Sequence, residues 1–262
     1  MTFAEALDWA EIAPGRFAGT IDSSWMQGRG AFGGLLAGVM LRAMGRLTDR
    51  PPRTLTVHFC GPATGALELA VQVESAGRSV VQLSARITGA EGLVALGLAT
   101  FAASRTSAVH VDADPAPAIV PWPGGVPLPN AEFIPVFART HFEFRFGLGE
   151  RLFSQAPRAT TGGWLRWREP APAEPASYAA LLDAWPPGIF PVLSGPVTAS
   201  SVDLTCQFFA PLPLEGENVN DPHIFLKTVQ QAEGGYAEER GTLWTASGRP
   251  LARVRQLFAF FG

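Results

Sequence analysis

The stretches LTVHF (Leu55–Phe59) and LTCQF (Leu204–Phe208) repeat one strand pattern at an offset of 149 residues. Outward from them the same order of elements occurs twice. Before the first, LLAGVMLRAMGRL is a mostly apolar helix, and its lack of a broad polar face predicts that it is buried. Before the second, SYAALLDAWPPGIF predicts a helix that stops at Pro186–Pro187. After the first come ALELAVQVESAG and SVVQLSARITG, the latter turning at Gly89–Gly92 into GLVALGLATFAA. After the second come HIFLKTVQQAEG and YAEERGTLWTASG, which turns into RPLARVRQLFAFF. Their short lengths and Gly/Pro punctuation fit an antiparallel sheet. Phe101 aligns with Phe258 at an offset of 157, and the extra eight residues fall in the loop PLPLEGENVNDP. Strand-like segments also precede each helix: RFAGTIDSSW in the first half, HFEFRFG and GGWLRWRE in the second.

A shared order of elements is the signature of duplication, and two repeats are too few for a solenoid. The expected class is α+β, with a long buried helix wrapped by a curved antiparallel sheet in each half. Joining two such sheets edge to edge removes exposed edge strands. The repeats are expected at residues 1–103 and 136–262. Between them residues 104–135 are rich in proline and lack periodicity, which marks a linker crossing the surface.

Composition excludes several classes. Charged residues make up 16% of the 262, against roughly 25% in an average soluble domain. That low fraction favours a subunit interface or an apolar pocket, so a homo-oligomer is expected, a dimer by default. A net charge of −3 argues against nucleic-acid binding. Two cysteines, Cys60 and Cys206, are too few for a disulfide scaffold and fit a reducing cytoplasm. The N-terminus lacks the pattern of a signal peptide, and no run reaches the ~18 apolar residues of a membrane span.

Some polar residues stand out against this apolar background. In LARVRQLFAFF, Gln256 shares a strand face with Ala252, Val254, Phe258 and Phe260, opposite Arg253 and Arg255. A buried amide needs partners, so Gln256 is either satisfied by backbone or holds water or a ligand. In LKTVQQ, Thr228 and Gln230 fall with Ile224 and Leu226 on the face opposite Lys227, which suggests that Thr228 points inward. Asp203 shares a polar face with Ser201, Thr205 and Gln207, where solvation is the ordinary outcome. At Gly33–Gly34 the glycines let the chain turn tightly into the helix. Trp164, Trp167 and Trp185 read as core or interface, Asp183 and Pro186–Pro187 as the shaping of a helix end, and Cys206 as a small hydrophobe.

The segments from GRGAFGGLLAGVML to TFAA and from SVDLTCQFF to VRQLFAF resemble the type II acyl-CoA thioesterases, a family of double hot-dog proteins. The FGG at Phe32–Gly34 and the final RQ strand are the more specific matches. The resemblance implies a double hot-dog fold and hydrolysis of an acyl-CoA thioester without cofactor or metal. It also implies a polar trio in the second half that holds the attacking water. By position this trio is Asp203, Thr228 and Gln256, with Gln230 as the alternative middle member.

The chemistry is consistent with that implication. No G-x-S-x-G elbow offers a serine nucleophile, and the four histidines show no H-E-x-x-H pattern. A carboxylate-activated water is then the simplest route, with Asp203 as base. Unpaired amides at the helix start, Gly33–Gly34, would receive the thioester oxygen. The repeat pairs Asp203 with Thr54 and Gln256 with Ala99, so the first half lacks both groups. Two alternatives remain: a non-catalytic binder of acyl thioesters or lipids, and an enoyl-thioester hydratase or dehydratase. The second is disfavoured by the absence of a D-x-x-P-x-H string.

Overall fold

The structure is a computed structural model that describes residues 1–111 and 113–261. A short helix, α1 (Phe3–Ala6), precedes strands β1 (Ala10–Ala13), β2 (Arg16–Thr20), β3 (Met26–Gln27) and β4 (Gly30–Ala31). The long helix α2 (Gly33–Gly45) follows. Then come β5 (Pro52–Phe59), β6 (Ala66–Ala76), β7 (Val80–Gly89) and β8 (Gly92–Ala102). The second half contains β9 (Val126–Pro127), α3 (Val136–His141), β10 (Phe142–Gly149), β11 (Thr160–Trp167) and α4 (Pro175–Ala184). It ends with β12 (Thr198–Phe208), β13 (His223–Glu233), β14 (Tyr236–Trp244) and β15 (Pro250–Phe261).

All strands but β3 and β4 join one sheet, ordered β1-β2-β6-β7-β8-β5-β12-β15-β14-β13-β11-β10-β9. Its centre is the antiparallel pair β5–β12, formed by the two repeated segments. Thr56 lies opposite Thr205, its counterpart in the repeat, and their hydroxyls meet at 3.1 Å. The repeat therefore meets itself about a local two-fold axis at this point. The two flanks mirror one another, β8 answering β15, β7 answering β14 and β6 answering β13. This is the expected α+β double hot-dog.

The helices lie inside the curve of the sheet. In α2 every residue except Arg42 and Gly45 is buried, and in α4 every residue from Ala176 to Ala184 is buried. They run antiparallel. Arg42 Nε meets Glu174 Oε1 at 2.8 Å at one end, while Gly33 approaches Asp183 at the other. Small residues allow this approach: a Cβ on Gly34 would lie 3.0 Å from Ala180 Cα.

One local feature differs from the sequence reading. The strand expected over Arg16–Trp25 ends at Thr20, because Asp22 accepts the Ser24 amide hydrogen bond at 3.0 Å and caps a 3₁₀ turn over Ser23–Trp25. The proline-rich segment runs along the second repeat, with Asp114 and Val120 carbonyls accepting from the indoles of Trp244 and Trp164. Both indoles pack in one small core cluster with Ile224, as expected for Trp164.

Candidate active site at the junction of the repeats

The last turn of α4, the first turn of α2 and the inner face of β12–β15–β14–β13 converge on one buried polar cluster. At its centre is Asp183. Gln256 Nε2 donates to Asp183 Oδ1 at 3.1 Å and to Ser201 Oγ at 2.5 Å. Gln256 is 4% exposed, on the inward face that its strand pattern predicts. With both amide hydrogens committed, its carbonyl oxygen and the Ser201 hydroxyl hydrogen remain available.

Ser201 reaches this face through a β-bulge. On β12, Ser201 pairs with Phe258 but Asp203 pairs with Leu257, so one extra residue enters the strand between them. Without it Ser201 would share the outer face with Thr205 and Gln207. With it Ser201 turns inward alongside Leu204 and Cys206. The equivalent shift occurs on β5 between Pro52 and Thr54, so both repeats carry the bulge.

The bulge also determines where Asp203 goes. Asp203 Oδ1 accepts the Leu257 amide at 3.0 Å, and the residue opposite it on β5 is the exposed His58. It does not meet Gln256. Thr228 is also elsewhere: its hydroxyl accepts from Thr160 at 3.2 Å, across the β11–β13 pair. The inward residue on that strand is its neighbour Lys227, 1% exposed, which reverses the face inferred for Thr228. Gln230 is exposed beside a second bulge on β13, between Val229 and Gln231. Of the expected trio, only Gln256 lies in the buried cluster.

Gly33 and Gly34 do reach it. A Cβ on Gly33 would stand 2.9 Å from Asp183 Oδ2. Phe32, the residue before the helix, makes no side-chain cap, so the leading amides of α2 face the carboxyl group without competition from a capping side chain.

Burial is the largest influence on Asp183 and pushes its carboxyl up to about 7 from an ordinary 3.8. Lys227, the Gly34 amide and the Gln256 amide act the other way, while Glu239 adds to the rise. The result is a carboxyl group that exchanges protons near neutrality, the property that suits a general base.

Other titratable groups are placed differently. His141 stacks on Trp25 at 3.5 Å, with Nε2 3.1 Å from Ser24 Oγ, and burial lowers its imidazole to about 4. Asp22 there bonds Ser24, with no hydrogen bond to the imidazole, so the cluster lacks the order of a nucleophilic triad. Among the described residues no three His, Cys, Asp or Glu side chains are arranged to hold a metal ion. A groove of about 870 Å³ opens at the far end of α2, between Arg42, Arg50, Phe101 and Leu212; Asp183, Ser201 and Gln256 do not line it. Among the described residues no helix is long and apolar enough to cross a membrane.

A duplicated helix-in-sheet repeat, with Asp183, Gln256 and the half-buried Ser201 clustered at its junction, defines a double hot-dog protein. Residues 21–102 match the acyl-CoA thioesterase N-terminal domain and residues 111–260 the acyl-CoA thioesterase C-terminal domain. The chain belongs to the acyl-CoA thioesterase family. Its fold is shared with a hot-dog protein of unknown function from Alicyclobacillus acidocaldarius, at 25% identity and a TM-score of 0.89, over 99% of this chain and 98% of that one. The TesB protein of Mycobacterium avium subsp. paratuberculosis aligns at 17% identity and a TM-score of 0.79, over 99% and 98% of the two chains. An acyl-CoA thioesterase II from Mycobacterium marinum aligns at 20% identity and a TM-score of 0.75, with the same coverage. No curated protein matches the chain.

Proposed function

We propose that this protein hydrolyses acyl-CoA thioesters, with Asp183 as general base toward a water held by Ser201 and Gln256. The observation that carries the reading is the bond from Gln256 to both Asp183 and Ser201, inside a chain of the thioesterase family.

The water would accept from the Ser201 hydroxyl and donate to the Asp183 carboxylate and the Gln256 carbonyl. As its oxygen attacks the thioester carbon, Asp183 takes the proton. The carbonyl oxygen gains charge, and the start of α2 supplies the Gly33 amide N–H and the positive end of the helix dipole for it, while the Gly34 amide stays on Asp183. Collapse of the tetrahedral intermediate breaks the C–S bond. The departing thiolate recovers the proton from Asp183, leaving free acid and CoA. No covalent enzyme intermediate is needed.

In this reading Asp203 ties β12 to β15 across the bulge, and Thr228 ties β13 to β11. The test is a thiol-release assay across acyl-CoAs from short to long chain. Turnover that rises through neutral pH and is lost in Asp183→Asn supports the proposal. Binding of acyl-CoA without release of thiol at any chain length favours a non-catalytic carrier.

A further inference from the structure

Beside the three polar groups lies an ion pair that the proposed chemistry does not consume. Lys227 on β13 and Glu239 on β14 are each 1% exposed, and Lys227 Nζ meets Glu239 Oε1 at 2.6 Å. A buried pair is a poor means of gaining stability, since desolvation of both charges opposes their attraction. Its remaining bonds converge on one short stretch of chain. Lys227 Nζ donates to the Trp185 carbonyl at 3.2 Å, and Glu239 Oε2 accepts the Gly188 amide at 2.7 Å. These contacts bracket Pro186–Pro187, two residues without an N–H of their own. The stretch begins two residues after Asp183 and ends α4.

We propose that Lys227 and Glu239 are positioning residues for Asp183, clamping the Trp185–Gly188 turn and setting the field in which the carboxylate holds its charge. The inference rests on the thioesterase reading above. The titratable groups that act on Asp183 are Lys227 from β13 and Glu239 from β14. The Cys206 thiol on β12, pushed up by burial, stays neutral beside it, and α2 and β15 contribute the uncharged amides of Gly34 and Gln256. Lys227 affects Asp183 more strongly than Glu239 does, so the pair as a whole favours the carboxylate.

The test uses the full chain with both charges neutralised, Lys227→Met together with Glu239→Gln. This removes both members of the pair together and keeps an acceptor for Gly188, while the Asp183 carboxylate loses its neighbouring cation and the Trp185 carbonyl its donor. The readouts are the ¹³C NMR titration of the Asp183 carboxyl group, the pH profile of kcat and KM, and the melting temperature. The expected result is a folded protein whose Asp183 midpoint rises by roughly one pH unit, within the range for loss of a neighbouring opposite charge. At pH 7 kcat falls about fivefold with little change in KM, and much of the loss recovers by about pH 9 as Asp183 ionises. A folded variant with the parent's midpoint and rates overturns the proposal. If the double variant does not fold, Glu239→Gln alone keeps the cation and removes a repelling charge. Its Asp183 midpoint then moves down, and an unmoved midpoint again overturns the proposal. A parent that releases no thiol while the midpoint still shifts rejects the thioesterase reading and leaves the positioning role standing.

Discussion

Gln256 binds Asp183, which lies 73 residues earlier at the end of the second long helix, and does not reach Asp203 on the neighbouring strand, whose carboxylate holds the Leu257 amide. The distance is 3.1 Å, and the same amide nitrogen reaches Ser201. One side chain thus joins a helix end to a strand bulge beneath the start of the other repeat's helix. The second repeat supplies the titrating group and both of its polar companions. The first repeat supplies the amides at Gly33–Gly34. The single sheet fixes these parts relative to one another.

The first expectation concerns pH. Burial raises the Asp183 carboxyl to about 7, and only its ionised form accepts a proton from water. The rate of thiol release, measured as kcat/KM on the free enzyme, should climb about tenfold per pH unit below the midpoint and level off above pH 7 to 8. A flat profile from pH 5 to 8 contradicts Asp183 as the base.

The two companions of Asp183 should differ in weight. Gln256→Leu removes the amide that holds both partners, so kcat should fall by about 10²–10³. Because one bond favouring the carboxylate is lost, the acid limb should also move upward. Ser201→Ala removes a water ligand and one acceptor of the Gln256 amide but leaves Gln256 on Asp183, and should cost about tenfold in kcat. Steady-state kinetics at pH 8 and pH 6 separate the two effects.

Stability should vary with pH in the opposite sense to activity. The folded carboxyl lies above its unfolded value of 3.8, so between roughly pH 4 and 7 the native state binds the proton more tightly than the unfolded chain. Its favourable contribution is present below about pH 4 and is lost as the pH rises through 7. Asp183→Asn removes the charge that is costly to bury, so the variant should melt higher than the parent at pH 8 and close to it at pH 4. Differential scanning calorimetry at both values checks this, and a lower melting temperature at pH 8 would count against the burial of an ionising group.

Gly34→Ala tests the packing that brings the site together. The added methyl would press into the Phe32 ring and stand 3.0 Å from Ala180 Cα, so the ring must turn aside and the facing helix backbone must give as well. Overpacking of this kind costs about 1–3 kcal/mol, measurable by urea unfolding. Because the shift also carries Asp183 away from Gly33, kcat should fall together with stability. A variant as stable as the parent would mean that the helices have slack.

The sequence shows the fold well and the site only in part. The pairing of Leu55–Phe59 with Leu204–Phe208 holds residue by residue: Leu55 faces Ala99 as Leu204 faces Gln256. Gln256 is identifiable because one amide interrupts an apolar strand face. Simple alternation fails at Ser201, because a single inserted residue reverses which parity of β12 points inward, and nothing in SSVDLTCQF marks it. It fails at Lys227 for a different reason. Both faces of HIFLKTVQ carry apolar residues, so polarity assigns the lysine to solvent although Glu239 awaits it inside. Asp183 left a readable signal: it is the lone charge in SYAALLDAW, a helix with no polar face to put it on. The reasoning that buries α2 buries this carboxylate as well.

The most direct measurement is the rate of thiol release for Asp183→Asn and Asp203→Asn beside the parent, each shown to be folded, on one acyl-CoA at pH 8. With Asp183 as the base, Asp183→Asn loses about 10²–10⁴ in kcat. Asp203→Asn, which keeps an oxygen for the Leu257 amide, stays within a few fold of the parent. Parent-like turnover by Asp183→Asn, or loss confined to Asp203→Asn, would contradict the account.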